Sequence, residues 1–307
     1  MLVTTPTGTI GSRVLRRLTE QPSSSLSIRV IARKPQKLSE KVRASLAVEI
    51  VKGCHDDSET LLNALNGVDA VFWCQPDSIT ADHVHEFYGK FAAVGRDAFK
   101  LCKTPRVVAI SAAGGEFAEH AGPISALREA ENILRASGTA LRFLRCGSFY
   151  ENLLWQLNSL RDDGSFFYSI AGRAKHPMVA CDDVARVAVQ WLLDATWSGT
   201  GAINLLGPAD LSYDDVADVL GEVLQRRVEY APVSHHEYRE MLLSLGYHEN
   251  AAAALQDMFD VIEASDWQAL RRDPKSSGKT TLHDWAKKYL QPLFFCPALG
   301  AGSTAVG

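Results

Sequence analysis

Residues 2–18 read Leu-Val-Thr-Thr-Pro-Thr-Gly-Thr-Ile-Gly-Ser-Arg-Val-Leu-Arg-Arg-Leu, and this stretch decides the fold. A short apolar strand comes first, a glycine turn follows it, and an amphipathic helix begins within the turn. This combination directs backbone N–H groups and a helix N-terminus at a diphosphate, so it predicts a dinucleotide site. The expected phosphate-binding residues are Thr5, Thr7, Gly8, Thr9, Ile10 and Gly11.

An ordinary strand-to-helix turn is the alternative, because glycine is common in turns of every kind. In the G-x-x-G-x-x-G spacing, Thr5 occupies the first glycine position.

The end of the second predicted strand indicates which dinucleotide is bound. The segment 28–32 is apolar and β-branched, and Arg33 and Lys34 follow it, 22 residues after Gly11. At this distance an acidic residue would bind the ribose 2′-hydroxyl, whereas two cations suit a 2′-phosphate. The sequence therefore favours NADP(H) over NAD(H), with an ordinary solvated basic turn as the alternative.

Composition excludes several classes of protein. The 307 residues are 46% hydrophobic with a net charge of −4 and no basic stripe, so nucleic acid is not an expected partner. No apolar run approaches the ~18 residues that span a bilayer, and the first strand leaves no room for a signal peptide. The six cysteines include no C-x-x-C pair, so neither disulfides nor a metal site is expected. These features predict a reduced, cytoplasmic protein without a membrane partner.

Strands alternate with helices over the first half of the chain. Strands are predicted at 1–4, 28–32, 47–51, 69–73, 106–110 and 141–145, and helices at 58–66, 80–102 and 122–137. This alternation predicts an α/β fold with a doubly wound parallel Rossmann sheet, whose ligands lie at the carboxyl ends of the strands. The residues expected there to contact the coenzyme include Cys74, Gln75, Pro76, Ser111 and Asn152.

The second half is less regular and predicts a smaller, mainly helical substrate lobe. Asp182 and Asp183 are expected to cap a helix over 184–193, and Ser212 a helix over 213–225. Strands are predicted at 165–170 and 202–206, and helices at 235–245, 249–263 and 281–290. The resulting domains are 1–150 for the nucleotide, 151–292 for the lobe interleaved with the last sheet strands, and a disordered tail over 293–307.

Five segments share a pattern with a known family. They are 3–11, 32–38, 53–61, Leu-Arg-Cys-Gly-Ser-Phe-Tyr-Glu-Asn-Leu-Leu at 144–154, and Ala-Cys-Asp-Asp-Val-Ala-Arg at 180–186. Their order resembles the NmrA-like branch of the atypical short-chain dehydrogenases, over about residues 1–290. The resemblance implies a Rossmann fold, NAD(P)H binding and a substrate lobe, but no single activity, since some relatives reduce quinones, imines or alkenes and others only sense the nucleotide.

The chain also departs from that pattern. Cys54 stands where relatives often place an aspartate, and Cys146 replaces a proline. The Tyr-x-x-x-Lys pair of ordinary short-chain dehydrogenases is missing, because 122–132 contains neither tyrosine nor lysine. The ordinary carbonyl-reductase mechanism therefore does not apply.

Other side chains are candidates for the chemistry. Ser111 follows strand five and is a candidate to hold a carbonyl or imine, or else a turn serine. Tyr150 is a candidate proton donor or a packing aromatic, and His120 an acid/base or a surface loop histidine. The expected lining of an apolar substrate pocket is Tyr150, Trp155, Phe167, Tyr168 and His176, with an ordinary lobe core as the alternative.

Three functions remain open at this stage. The first is an NADP(H)-dependent oxidoreductase that transfers hydride to a small apolar or aromatic acceptor, a quinone, imine or enone. The second is a non-catalytic redox sensor that binds a partner protein, and the third is a redox-neutral cyclase or isomerase. The expected partner is a small-molecule substrate, and the expected assembly is a monomer or a homodimer.

Overall fold

The structure, a computed structural model, describes residues 1–22, 26–117, 119–273 and 277–296. Its strands are, in chain order, β1 Leu2–Val3, β2 Ile28–Ala32, β3 Val48–Lys52, β4 Ala70–Trp73, β5 Arg106–Ala112, β6 Ala140–Cys146, β7 Ser148–Phe149, β8 Ser165–Phe166, β9 His176–Val179, β10 Thr200–Leu205, β11 Asp210–Leu211 and β12 Glu229–Tyr230.

The α-helices are α1 Thr9–Thr19, α2 Glu40–Arg43, α3 Ser58–Leu65, α4 Val84–Leu101, α5 Pro123–Arg135, α6 Leu157–Asp162, α7 Cys181–Leu193, α8 Tyr213–Leu224, α9 His235–Ser244, α10 Glu249–Ala264, α11 Leu282–Trp285 and α12 Gln291–Phe295. Shorter 3₁₀ segments lie at Pro35–Lys37, Tyr150–Gln156 and Trp267–Ala269, and a π-helical turn at Ala286–Leu290.

The central sheet has seven parallel strands in the order β10-β6-β5-β4-β1-β2-β3. This is the predicted doubly wound Rossmann sheet, and β10 is the predicted seventh strand, paired along its whole length with β6. Successive residues of a strand face opposite sides of the sheet. In β5, Val107 and Ala109 therefore pack under α3, α4 and α5, while Val108 packs under α1 and α7.

A further hydrophobic core is built from the segment 150–160, β8 and the helices after residue 212, and it includes Ala113, Ala121 and Ile124 of the first half. The Ser212 cap is confirmed, because its hydroxyl accepts the N–H of Asp215, whose carboxylate accepts the N–H of Ser212. Such reciprocal capping satisfies two N–H groups that the helix itself leaves unpaired. The capping box thereby stabilises the first turn of α8.

Three expectations about the second half are wrong. The strand predicted at 165–170 ends at Phe166, because only its first two residues pair with β12. Asp182 and Asp183 lie inside the first turn of α7, which begins at Cys181, instead of capping it. The tail predicted to be disordered from 293 is helical to Phe295, since α12 packs on α6; residues 297–307 lie outside the described part.

Candidate functional site

The predicted phosphate-binding turn at 5–11, the phosphate turn, leads into α1 and leaves N–H groups open to an anion. Gly8 is the N-cap residue in extended conformation, no side chain caps the helix, and no acidic residue lies in the first turn. The N–H groups of Thr9, Ile10 and Gly11 therefore have no partner within the helix. Free N–H groups and the positive end of the helix dipole attract a phosphate at this position.

Gly11 and Thr5 determine the shape of this turn. A Cβ atom on Gly11 would lie 2.1 Å from the carbonyl oxygen of Thr5, so only glycine fits there. Thr5 itself has φ +47°, the left-handed conformation that a β-branched residue rarely adopts. The position where the spacing expects a glycine therefore has a backbone conformation typical of glycine, although threonine occupies it.

The neighbouring helix N-terminus, that of α7, is already neutralised. Glu151 accepts the N–H of Cys181 through Oε2 at 3.0 Å, and two aspartates lie in the first turn. One of them, Asp182, lies 3.0 Å from the guanidinium of Arg16. Both helices begin at the carboxyl edge of the sheet, but only α1 keeps its partial positive charge for a ligand.

Arg33 and Lys34 follow β2 and are both exposed. Neither side chain forms an ion pair with the residues that the structure describes, unlike Arg29, which binds Glu49 at 2.7 Å. The two carboxylates that follow β3 have other partners. Asp56 pairs with Lys90 at 2.8 Å, and Asp57 caps α3 by accepting the N–H of Thr60. Two uncompensated cations thus lie at the end of β2, where the adenosine ribose is expected.

The end of β4 joins the phosphate turn through Thr4. Its hydroxyl accepts the N–H of Cys74 at 2.8 Å and lies 3.1 Å from the Cys74 carbonyl oxygen. Burial raises the pKa of Cys74 to about 11, so the thiol is neutral at physiological pH. Gln75 donates to the carbonyl oxygen of Tyr88 at 2.9 Å, and Pro76 is half-buried. The three predicted coenzyme residues of this strand end therefore lie at the same edge as the turn.

Ser111 does not have the predicted environment. It is 3% exposed and lies opposite Arg145 in the sheet, on the side covered by α5. There it faces the carboxylate of Glu131, which Arg145 grips with two hydrogen bonds of 2.9 and 2.8 Å. A hydroxyl buried beside a carboxylate is not open to a substrate carbonyl, so the structure does not support the predicted catalytic role.

The segment from Tyr150 to Gln156 is a 3₁₀ helix, in which side chains three residues apart share a face. Tyr150, Leu153 and Gln156 accordingly form its buried face, whereas Asn152 and Trp155 are exposed. The Tyr150 side chain is 1% exposed, its ring centre lies 5.7 Å from that of Trp285, and burial raises its pKa. The structure thus favours the packing alternative for Tyr150 over proton donation.

The other predicted pocket residues divide between the buried core and the surface. Tyr168 stacks on Tyr213 with ring centres 4.7 Å apart, and His176 packs edge-on against Tyr213. Both are buried, and burial lowers the pKa of His176 to about 4. Phe167 is half-buried beside this core, whereas Trp155 is 54% exposed. Tyr168 and His176 therefore pack in the core around Tyr213, as in the alternative of a lobe core, and a role for them in lining a substrate pocket stays a prediction.

His120 is exposed on the loop before α5 and lines a cavity of about 360 Å³ at the starts of α4, α5 and α10. His83 and His85 line the same cavity, and His85 Nδ1 lies 2.7 Å from a carboxylate oxygen of Glu129. Over 1–22, 26–117, 119–273 and 277–296, no three His, Cys, Asp or Glu side chains are placed to hold a metal ion. An acid/base role for His120 stays a prediction.

Comparison with known proteins identifies the family. Residues 6–195 match the NAD(P)H-binding family. The chain belongs to that family. A NAD(P)H azoreductase from Xenophilus azovorans is 28% identical over 296 residues, which cover 94% of this chain and 97% of the relative.

Two solved structures share the fold. The NADPH-dependent quinone oxidoreductase of Escherichia coli, complexed with NADPH, has a TM-score of 0.76, and the Citrobacter sp. triphenylmethane reductase, complexed with NADP(H), one of 0.78. Each is 22% identical, with 94% of this chain and 99% of the other covered. The predicted NAD(P)-binding Rossmann fold is confirmed, and the chain is an NAD(P)H-dependent oxidoreductase without Tyr-x-x-x-Lys. No helix in the described ranges is long and apolar enough to cross a membrane.

Sequence reasoning missed the partners of three buried carboxylates, although Asp183 was expected to cap a helix. Glu131 holds Arg145, Glu151 joins α1 to α7, and Asp183 accepts the N–H groups of Lys279 and Thr280 at 2.9 and 2.8 Å. Glu131 and Asp183 lie among other polar residues, whereas Glu151 follows Phe149 and Tyr150 and precedes Asn-Leu-Leu, so only Glu151 stands out in the sequence. A buried carboxylate needs partners, so an isolated acid within a core segment was the signal available.

Proposed function

We propose that this protein is an NADPH-dependent reductase that transfers hydride to a small apolar or aromatic acceptor such as a quinone, an imine or an enone. The observation that carries the proposal is the combination of an uncapped α1 N-terminus with two unpaired cations at the end of β2. A diphosphate at the first site places an adenosine ribose towards the second. A bound nicotinamide supplies the hydride.

The positive charge at the end of β2 supports a preference for NADPH. Arg33 and Lys34 are exposed and unpaired within the described part, whereas Arg13 and Arg16 are engaged by Glu151 and Asp182. A guanidinium offers a planar pair of donors to a phosphate, and the adjacent ammonium adds a second charge. The NADPH and NADP(H) bound in the two structural neighbours agree with this choice.

The exposed face of the 3₁₀ segment supports an apolar or aromatic acceptor. Trp155 offers an aromatic surface, and Asn152, three residues before it on the same face, offers an amide to a carbonyl or imine. The neighbouring Glu151 contacts Arg13 of α1, so the segment that carries this face is joined to the helix that follows the phosphate turn. Since Tyr150 and Ser111 are buried, solvent provides the proton.

The test is NADPH consumption with a panel of quinones, imines and enones, followed by the loss of reduced-nicotinamide absorbance. Turnover with at least one acceptor is expected. A panel without turnover, with the protein folded and NADPH bound, would contradict the proposal.

Coenzyme choice is tested with Arg33→Ala. Losing a hydrogen bond to a charged group costs about 1.5–3 kcal/mol, so the Kd for NADPH should rise roughly 10- to 150-fold while that for NADH stays unchanged. Lys37→Ala removes an exposed cation four residues later and is the matched control. An equal loss of affinity for both coenzymes in Arg33→Ala would contradict recognition of the 2′-phosphate.

A further inference from the structure

Glu151 is a buried carboxylate at the junction of three elements. It is 5% exposed, lies in the first turn of the 3₁₀ helix, and accepts the N–H of Cys181 at the start of α7. Its second oxygen, Oε1, lies 3.3 Å from Nη2 of Arg13 on α1. A buried charge with these two partners fixes the position of the segment that carries it.

Arg13 connects Glu151 to the phosphate turn. Its Nη1 donates to the carbonyl oxygen of Thr9 at 2.6 Å, and its Nε lies 3.5 Å from Oδ1 of Asp182. The guanidinium therefore lies along the first turn of α1, whose N–H groups are free for a diphosphate. A ligand charge placed at those N–H groups acts directly on Arg13, because charges in a partly buried site are weakly screened.

On its other side, Glu151 is covalently next to the exposed face that we assign to the acceptor. Asn152 follows it directly, and Trp155 lies one 3₁₀ turn beyond Asn152. A 3₁₀ helix is short and weakly bonded internally, so its orientation depends on contacts made by its buried side chains. Glu151 is the charged residue of this segment, and its ion pair with Arg13 connects the segment to the helix that follows the phosphate turn.

We propose that Glu151 is a positioning residue. Through Arg13 it couples binding of the coenzyme at the phosphate turn to the orientation of the face formed by Asn152 and Trp155. The coupling rests on the proposed function only for the identity of the acceptor. With the diphosphate in place, Arg13 is held between Glu151 and the turn, and the 3₁₀ segment is held with it. Acceptor binding then follows coenzyme binding in order.

The first experiment measures this coupling without turnover. Amide hydrogen exchange is followed in the presence and absence of saturating NADPH. In the wild-type protein we expect NADPH to slow exchange both at 5–11 and at 150–156. In Glu151→Gln, which keeps the size of the side chain and an oxygen to accept the Cys181 N–H, the slowing at 5–11 should remain and that at 150–156 should fall at least fivefold.

Asp182→Asn is the matched control, because it removes another carboxylate beside Arg13 that lies on α7, outside the 3₁₀ segment. It should keep the slowing at both places. If Glu151→Gln keeps the response at 150–156, or if Asp182→Asn loses it equally, the proposal is overturned.

Two further measurements connect the coupling to catalysis and to Arg13. At saturating NADPH the acceptor KM of Glu151→Gln should rise about 5- to 50-fold, within the usual range of coupling between sites. If Glu151 acts through Arg13, the double variant with Arg13→Gln should show no larger rise than Glu151→Gln alone. Independent, additive effects would overturn the route through Arg13.

The remaining outcomes also decide the question. Should Glu151→Gln fail to fold, Arg13→Gln alone must abolish the exchange response at 150–156. A wild-type protein that shows the exchange response but reduces no acceptor would contradict the proposed function and leave the coupling supported. A wild-type protein that reduces acceptors without any NADPH response at 150–156 would contradict the coupling alone.

Discussion

Gly11→Ala is the sharpest test of the phosphate turn. The added Cβ would lie 2.1 Å from the carbonyl oxygen and 2.8 Å from the carbonyl carbon of Thr5, and 3.1 Å from the carbonyl oxygen of Thr4. All three neighbours are backbone atoms, so the turn must move by about 1 Å to reach ordinary carbon–oxygen contact. Forcing extra volume into a packed site costs about 1–3 kcal/mol.

The same movement displaces the N–H groups that would bind the diphosphate. Losing one hydrogen bond to a charged group costs about 1.5–3 kcal/mol, which weakens NADPH binding roughly 10- to 150-fold. The free energy of unfolding, measured in urea, should fall by about 1–3 kcal/mol. Calorimetric titration with NADPH measures the loss of affinity.

Gly8→Ala is the matched control for stability. Its Cβ would lie 3.4 Å from the Thr5 carbonyl oxygen, which is ordinary contact, and its φ of −79° suits any residue. Its free energy of unfolding should stay within about 1 kcal/mol of the wild-type value. If Gly11→Ala keeps both its unfolding free energy and its NADPH affinity, the close approach to Thr5 does not shape the site.

Two further predictions concern stability. Thr5→Gly should raise the free energy of unfolding by up to about 1.5 kcal/mol, because glycine removes a left-handed penalty of about 1–2 kcal/mol and adds about 0.5–1 kcal/mol of entropy cost; a lower urea midpoint would contradict this. His55 packs between Trp73 and Phe91, and burial lowers its pKa from 6.5 to about 3, so the folded protein keeps it neutral. The contribution of neutral His55 to the free energy of unfolding should be fully present above pH 6.5. As the pH drops from there towards 3, the free energy of unfolding should fall by up to about 1.4 kcal/mol per pH unit. In urea titrations, His55→Leu should lessen that slope between about pH 6.5 and 4.5. An unchanged slope in a folded His55→Leu protein would show that another group titrates.

The site at α1 could be read from the sequence because its parts are local. Gly8 and Gly11 lie three residues apart in one turn, and Arg33 follows the adjacent strand. Parallel strands bring their carboxyl ends to one edge, so residues far apart in the chain are placed by topology alone. The departure at Thr5 was likewise visible from the G-x-x-G-x-x-G spacing, whereas its left-handed backbone is known only from the structure.

The roles of Tyr150 and Ser111 could not be read in this way. Whether Tyr150 or Asn152 faces the acceptor depends on the local helix period, and a 3₁₀ turn buries the tyrosine. Ser111 is placed by the alternation of β5, which turns its side chain to Glu131 and α5. Both are questions of which way a side chain points.

The sequence by itself determined a parallel α/β sheet with a glycine turn typical of dinucleotide-binding folds, because apolar periodicity and glycine spacing are properties of neighbouring residues. The tertiary structure alone decided that Glu151 joins Arg13 to α7 and that Tyr168 and His176 form core around Tyr213. The reason is physical: a buried charge or ring is stabilised by whatever packs against it, and those partners come from distant segments.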